Sequence, residues 1–131
     1  MSVRLSRHGD VAVITLDRPE ARNALNAAMI SRIGELIDEL AATSPSALVI
    51  TGAGGKAFCA GADIKELQGK AAQEQRDTAR KGQRTFAKLD AVPFPSVAVI
   101  QGVALGGGLE LAMACTFRIA SVGSRFGLPE D

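Results

Sequence analysis

The run from Ser96 to Cys115, SVAVIQGVALGGGLELAMAC, leaves a chain few ways to fold. Ser96-Val97-Ala98-Val99-Ile100 is short, β-branched and apolar, the composition of a strand buried on both faces. Helix formers fill Leu109 to Cys115, so Gly106-Gly107-Gly108 falls at a helix N-terminus. Glycines there let a ligand approach the backbone closely, and the unpaired N–H groups and dipole of a helix start favour negative charge. Such a corner can hold an oxyanion. A glycine triplet alone reads equally well as a tight strand-to-helix turn. Glu110 shifts the balance, because a carboxylate inside the otherwise apolar LELAMA is costly unless it is paired or functional.

The elements before this stretch alternate between strand and helix. Val3 to Arg7 and Val11 to Leu16 read as a hairpin about a Gly9-Asp10 turn. Asp17-Arg18-Pro19 breaks the second strand, and Asn26 is placed to cap a helix running to about Ala42. Met29, Ile30, Ile33, Leu36, Ile37 and Leu40 mark one face of that helix, which must pack on a sheet or another helix. Ala47 to Thr51 is the next buried strand and enters a glycine-rich loop, GAGGKAFCAGADI, from Gly52 to Ile64. This order implies right-handed crossovers with function carried on the loops after the strands. Lys65 to Asp90 is polar and reads as a loop plus a solvated helix, with Phe86 and Leu89 turned inward. Val92-Pro93-Phe94-Pro95 stops that helix. After the glycine-started helix, placed at Gly108 to Thr116, come a strand from Phe117 to Ser121, a turn at Gly123-Ser124, and a loop from Phe126 to Glu130. The class is α/β.

Several functions are disfavoured. With 15 Lys plus Arg against 14 Asp plus Glu, net charge gives no argument for nucleic acid or an anionic membrane. The lack of Trp and Tyr removes most aromatic platforms for single strands. His8, the only histidine, lies near a hairpin turn, so a Ser-His-Asp or Cys-His nucleophile lacks its base. No cluster has metal-ligand spacing. Cys59 and Cys115 sit among small apolar residues and read as buried reduced thiols, consistent with a cytoplasmic setting. No apolar run follows the first basic residues, so no signal peptide is expected, and Gln101 and Glu110 argue against a membrane span at Ser96 to Ala114. GAGGKA fits a loose dinucleotide-binding pattern, but no convincing helix follows it.

Glu130 is the second carboxylate to consider. A helix from Gly108 to Thr116 advances ~13 Å, and the strand after it returns ~16 Å. If the two run antiparallel, the loop carrying Glu130 comes back beside the helix start. Two carboxylates near one set of backbone donors suit general acid/base chemistry next to an oxyanion.

Four ordered motifs now carry a family resemblance: DRPEARNAL (Asp17 to Leu25), GKAFCAGADIKEL (Gly55 to Leu67), GVALGGGLELAMAC (Gly102 to Cys115) and FGLPE (Phe126 to Glu130). The chain resembles the N-terminal half of an enoyl-CoA hydratase of the crotonase superfamily. The resemblance implies a crotonase-like spiral of ββα units, one domain over residues 1–131 that is incomplete at the C-terminus, without the helices that build trimers. It implies that the backbone N–H groups of Ala62 and Gly107 hold the thioester oxygen. Glu110 would act as base on water and Glu130 would protonate the α-carbon of a 2-enoyl-CoA. Ala60, Ala62 and Ile64 would line the coenzyme A path, with Arg22 a candidate for its phosphates and Asp63 and Lys65 following the family pattern. No cofactor beyond the substrate's own coenzyme A is implied, and the full assembly would be a homotrimer or hexamer. Thr116 stands where the family usually carries an aspartate, which changes a local structural bond.

Overall fold

A computed structural model describes residues 2–128 of the chain. Strands β1 (Val3–His8) and β2 (Val11–Leu16) form the expected antiparallel hairpin. Helix α1 (Ala27–Thr43) starts at Asn26, whose side chain accepts a hydrogen bond from the Met29 N–H at 2.8 Å. Then follow β3 (Ala47–Gly52), β4 (Ala57–Cys59), α2 (Ile64–Gln68), α3 (Ala72–Ala91), β5 (Ser96–Ile100), β6 (Val103–Leu105), α4 (Gly107–Ala114), β7 (Phe117–Ala120) and β8 (Arg125–Gly127).

These strands form two sheets. One has the order β1-β2-β3-β5-β7 and the other β4-β6-β8, and every pairing except β1 with β2 is parallel. Each consecutive pair, β3–β4, β5–β6 and β7–β8, gives its first strand to the large sheet and its second to the small one. Helices separate the pairs, so the chain winds as a spiral of ββα units. The inner face of the large sheet, with Ala12, Ile14, Leu16, Leu48, Ile50, Ala98 and Ile100, shares one core with the predicted apolar face of α1. Phe86 and Leu89 of α3 join it as expected.

Four expectations need correction. The loop assigned to Gly52–Ile64 contains β4 and the first residue of α2, and Phe58 is fully buried. The strand at Ser96 does not run straight into the helix: Gly102, at φ +78°, turns the chain into β6 first. A Cβ on Gly102 would collide with the Lys56 carbonyl, so only glycine brings β6 against the entry to β4. The loop placed at Phe126–Glu130 begins inside β8. Finally, β5 is not buried on both faces, since its residues alternate between buried and half-buried. Val13, Val49, Val97 and Phe117 lie in register across the less covered face.

Helix α4 ends at Ala114 because Cys115 is extended, at φ −72° and ψ 154°. Just beyond it, Thr116 and the fully buried Ser96 bond reciprocally. The Ser96 N–H donates to Thr116 Oγ1 and the Thr116 N–H to Ser96 Oγ, each at 3.0 Å. This threonine therefore ties the end of α4 to the start of β5. No described helix is long and apolar enough to cross a membrane.

Candidate active site

The site is built by backbone segments pressed together. Residues 60–63 lie beside residues 22–25 in a short parallel ladder: the Ala60 N–H donates to the Arg22 carbonyl at 3.0 Å, the Leu25 N–H to Gly61 at 2.7 Å, and the Asp63 N–H to Leu25 at 2.8 Å. The N–H of Ala62, between these rungs, has no partner among the described residues. At α4, Gly106 adopts φ 52° and ψ −123°, and its N–H donates to the Gly127 carbonyl at 2.8 Å. The N–H of Gly107 likewise has no partner among the described residues, as the first turn of a helix provides.

Gly108 lets these two segments meet. A Cβ there would stand 2.7 Å from Cys59 Cβ and 2.8 Å from the Cys59 carbonyl carbon, distances real side chains do not tolerate. The start of α4 therefore rests directly on β4. As a result Ala62, Gly106, Gly107 and Glu110 line one pocket of about 370 Å³. Leu25, Ile30 and Leu67 and the α3 residues Ala79, Gly82 and Phe86 supply its apolar lining. An apolar cleft with a few convergent polar groups is the usual form of a small-molecule site.

Glu110 lies in the first turn of α4 and is exposed. The desolvation cost expected for it does not arise, because the helix turns Glu110 to the pocket while Leu111 and Ala112 enter the core. Glu130 lies outside the described residues. Beyond β7, strand β8 runs parallel to β6, with Gly127 opposite Leu105. The described chain thus arrives beside the start of α4.

The other residues singled out by sequence lie on the two segments of that ladder and at the start of α2. Arg22 is exposed, in left-handed conformation at φ 52° after a short turn at Pro19–Ala21. Ala60 is half-buried, while Ile64 and Lys65 are exposed at the start of α2. Asp63 is committed to structure. Its carboxylate meets Arg18 Nη1 at 2.9 Å and accepts from the Glu66 N–H at 3.3 Å, capping α2. The Arg18 guanidinium, aided by that N–H, holds the carboxyl below the usual aspartate range. The same Arg18 nitrogen donates to the Ala24 carbonyl at 3.1 Å, joining the two segments of the ladder.

Sequence reasoning missed Asn23. It is wholly buried in left-handed conformation at φ 59°. Its Oδ1 accepts from the Arg18 N–H at 2.8 Å, and its Nδ2 donates to the carbonyls of Ala53 at 3.0 Å and Ala57 at 2.9 Å. Its tolerance of left-handed backbone, inside the DRPEARNAL motif, was the available signal. Glu66 was missed as well: its Oε1 accepts from the Ala27 N–H at 2.9 Å, fastening α2 to the start of α1. Both cysteines are buried, and burial pushes each thiol up to about 11, so neither offers a thiolate near neutral pH. Among the described residues no group of acidic, histidine and cysteine side chains could hold a metal.

A family model described as enoyl-CoA hydratase/isomerase matches residues 6–131. The chain belongs to this family. As an enoyl-CoA hydratase/isomerase family member it is 43% identical to a short-chain-enoyl-CoA hydratase of Clostridium acetobutylicum, over 98% of this chain and 50% of that relative. It is 42% identical to a 2,3-dehydroadipyl-CoA hydratase of Escherichia coli, over 96% of this chain and 49% of the relative. The crystal structure of an enoyl-CoA hydratase from Bacillus anthracis superposes with a TM-score of 0.94 at 34% identity, covering 98% of this chain and 50% of that one. The chain spans about half the length of the curated relatives it matches. Its spiral of ββα units is the fold of the corresponding half of those structures.

Proposed function

We propose that this chain serves the hydration of a 2-enoyl-CoA thioester to a 3-hydroxyacyl-CoA. One observation carries the reading: Ala62 and Gly107, whose N–H groups have no partner among the described residues, line the same pocket as the Glu110 carboxylate, in a member of this family. Adding water to a conjugated thioester moves negative charge onto the thioester oxygen, and two backbone donors fixed in advance stabilise that charge without reorganising. Glu110 removes a proton from water as its oxygen bonds to C3. Glu130 delivers a proton to C2 as the enolate collapses, so the net change is addition of water across the double bond.

Coenzyme A follows the backbone of Ala60, Ala62 and Ile64, with Arg22 toward its phosphates and Lys65 beside its path. Asp63 contributes through the loop it anchors. No cofactor beyond the substrate's coenzyme A takes part. With the full-length chain present, the assembly is a cytoplasmic homotrimer or hexamer acting in fatty acid metabolism. A second reading is migration of the double bond of a 3-enoyl-CoA, which can rely on Glu130 alone; the presence of Glu110 on the pocket lining favours hydration over it.

The test follows the loss of conjugated enoyl-thioester absorbance on mixing crotonyl-CoA with the purified protein. Hydration predicts turnover that Glu110→Gln and Glu130→Gln each reduce by about 10² or more, as expected for groups that move protons in the transition state. A Glu110→Gln variant that still isomerises a 3-enoyl-CoA while hydrating nothing selects the second reading. Wild-type protein that neither turns over nor binds crotonyl-CoA defeats both.

A further inference from the structure

One face of α3 forms a wall of the pocket, through Gln75, Thr78, Ala79, Gly82, Gln83 and Phe86. The polar groups nearest its start are already engaged. Gln75 Nε2 donates to the carbonyls of Leu67 and Lys70, and Thr78 Oγ1 donates to the Glu74 carbonyl while accepting from Lys70 Nζ. What this wall offers a ligand at Ala79, Gly82 and Phe86 is therefore apolar, and it continues into Leu25 and Ile30.

Gly82 is the anomaly on this face. It is buried in the middle of a 20-residue helix, where glycine is the poorest of the ordinary helix formers. Neither backbone conformation nor crowding calls for it. It is absent from the residues with positive φ, and a Cβ built on it would meet only Ile30 Cδ1, at an ordinary 3.8 Å. Gly108 is filled by its neighbour, whereas the missing side chain of Gly82 is open pocket. Ala79, three residues earlier on the same face, extends the space.

We propose that Gly82 is a specificity-determining residue, and that the space it leaves against Ile30 receives an aliphatic acyl chain longer than four carbons. The inference rests on the reading of the site as an acyl-CoA site. From Ala62, Gly107 and Glu110 the pocket is continuous with this gap. Because the donors and Gly82 line one pocket, an acyl chain that extends from the donors to the wall inserts beside Gly82.

The experiment measures binding of butyryl-CoA and octanoyl-CoA by calorimetry to the wild-type chain and to Gly82→Ala, Gly82→Val and Gly82→Leu, with thermal melting of each. Saturated thioesters are not turned over, so binding is read apart from chemistry. Gly82→Ala is expected to melt no lower than wild type, since the space exists and alanine favours the helix. Along the series octanoyl-CoA weakens progressively, by about tenfold or more at Gly82→Leu, while butyryl-CoA stays within about threefold, in line with what pocket size discriminates. Equal weakening of both ligands, or no weakening of octanoyl-CoA in variants that melt like wild type, overturns the proposal. Wild-type protein that binds butyryl-CoA but gains nothing from the longer chain also overturns it, leaving the acyl-CoA reading intact. Failure to bind either thioester removes that reading and this one together. Should Gly82→Leu fail to fold, the Gly82→Ala and Gly82→Val steps still decide the trend.

Discussion

Replacing Gly108 by alanine tests how the pocket is assembled. The new methyl group would lie 2.7 Å from Cys59 Cβ, about 1 Å inside the ~3.5–4.0 Å at which carbon atoms pack comfortably. Its obstacles are the carbonyl and Cβ of a buried strand residue and cannot swing aside, so the start of α4 must move by about that distance. Overpacking of this kind costs about 1–3 kcal/mol, and alanine in place of glycine in a helix returns up to ~1 kcal/mol. The expected net loss is ~1 kcal/mol at the middle of these ranges, with ~3 kcal/mol the most they allow, a fall in melting temperature of a few degrees for a chain of this size. Adjacent Gly107 is a built-in comparison, because a Cβ there meets nothing within 4 Å. Gly107→Ala should melt at or above wild type. The larger effect of Gly108→Ala is on catalysis, since moving α4 draws the Gly107 N–H away from that of Ala62. Misplacement by about 1 Å can cost ~10²-fold in rate. Crotonyl-CoA hydration should therefore lose about 10² in kcat with KM little changed. A Gly108→Ala protein that melts like wild type, with kcat within about threefold, would refute the argument that this contact sets the spacing of the donors.

Two further perturbations probe the supports of the loop. Asn23→Ala strips buried partners from the Arg18 N–H and from the carbonyls of Ala53 and Ala57, and an unsatisfied buried group costs about 1–3 kcal/mol; urea unfolding should show a loss of about 3 kcal/mol or more, and a loss below ~1 kcal/mol would mean that water replaces all three bonds. Asp63 has its folded pKa lowered by Arg18 and the Glu66 N–H, so its contribution to stability is fully present above the unfolded carboxylate value of about 4 and is lost as pH falls through the lower folded value. Melting temperatures at stepped pH should therefore fall less steeply with acid below about pH 4 in Asp63→Asn than in wild type, and parallel curves would show that the ion pair does not couple to folding.

Much of the fold was legible because the determining forces are local. Asn26 and the apolar positions of α1 declare the helix through a cap three residues away and a period of 3.6. Strands β2, β3 and β5 are long enough for β-branched composition to register. The partly covered outer face of β5 was not legible, since a run of small apolar residues does not say which side the rest of the chain will cover.

Sequence by itself therefore determined the helices α1, α3 and α4, the long strands, the glycine corner and the family resemblance. Only tertiary structure decided the small sheet: β4, β6 and β8 hold three residues each, too few to show a period, and their ladder bonds come from segments tens of residues away. It also decided that Glu110 faces the pocket, that Asp63 binds Arg18, and that Asn23 holds two loops. Each of these depends on which distant backbone arrives beside the residue, and the physical reason it escapes a linear reading is that hydrogen bonds and steric contacts act through space, between partners that spacing along the chain does not reveal.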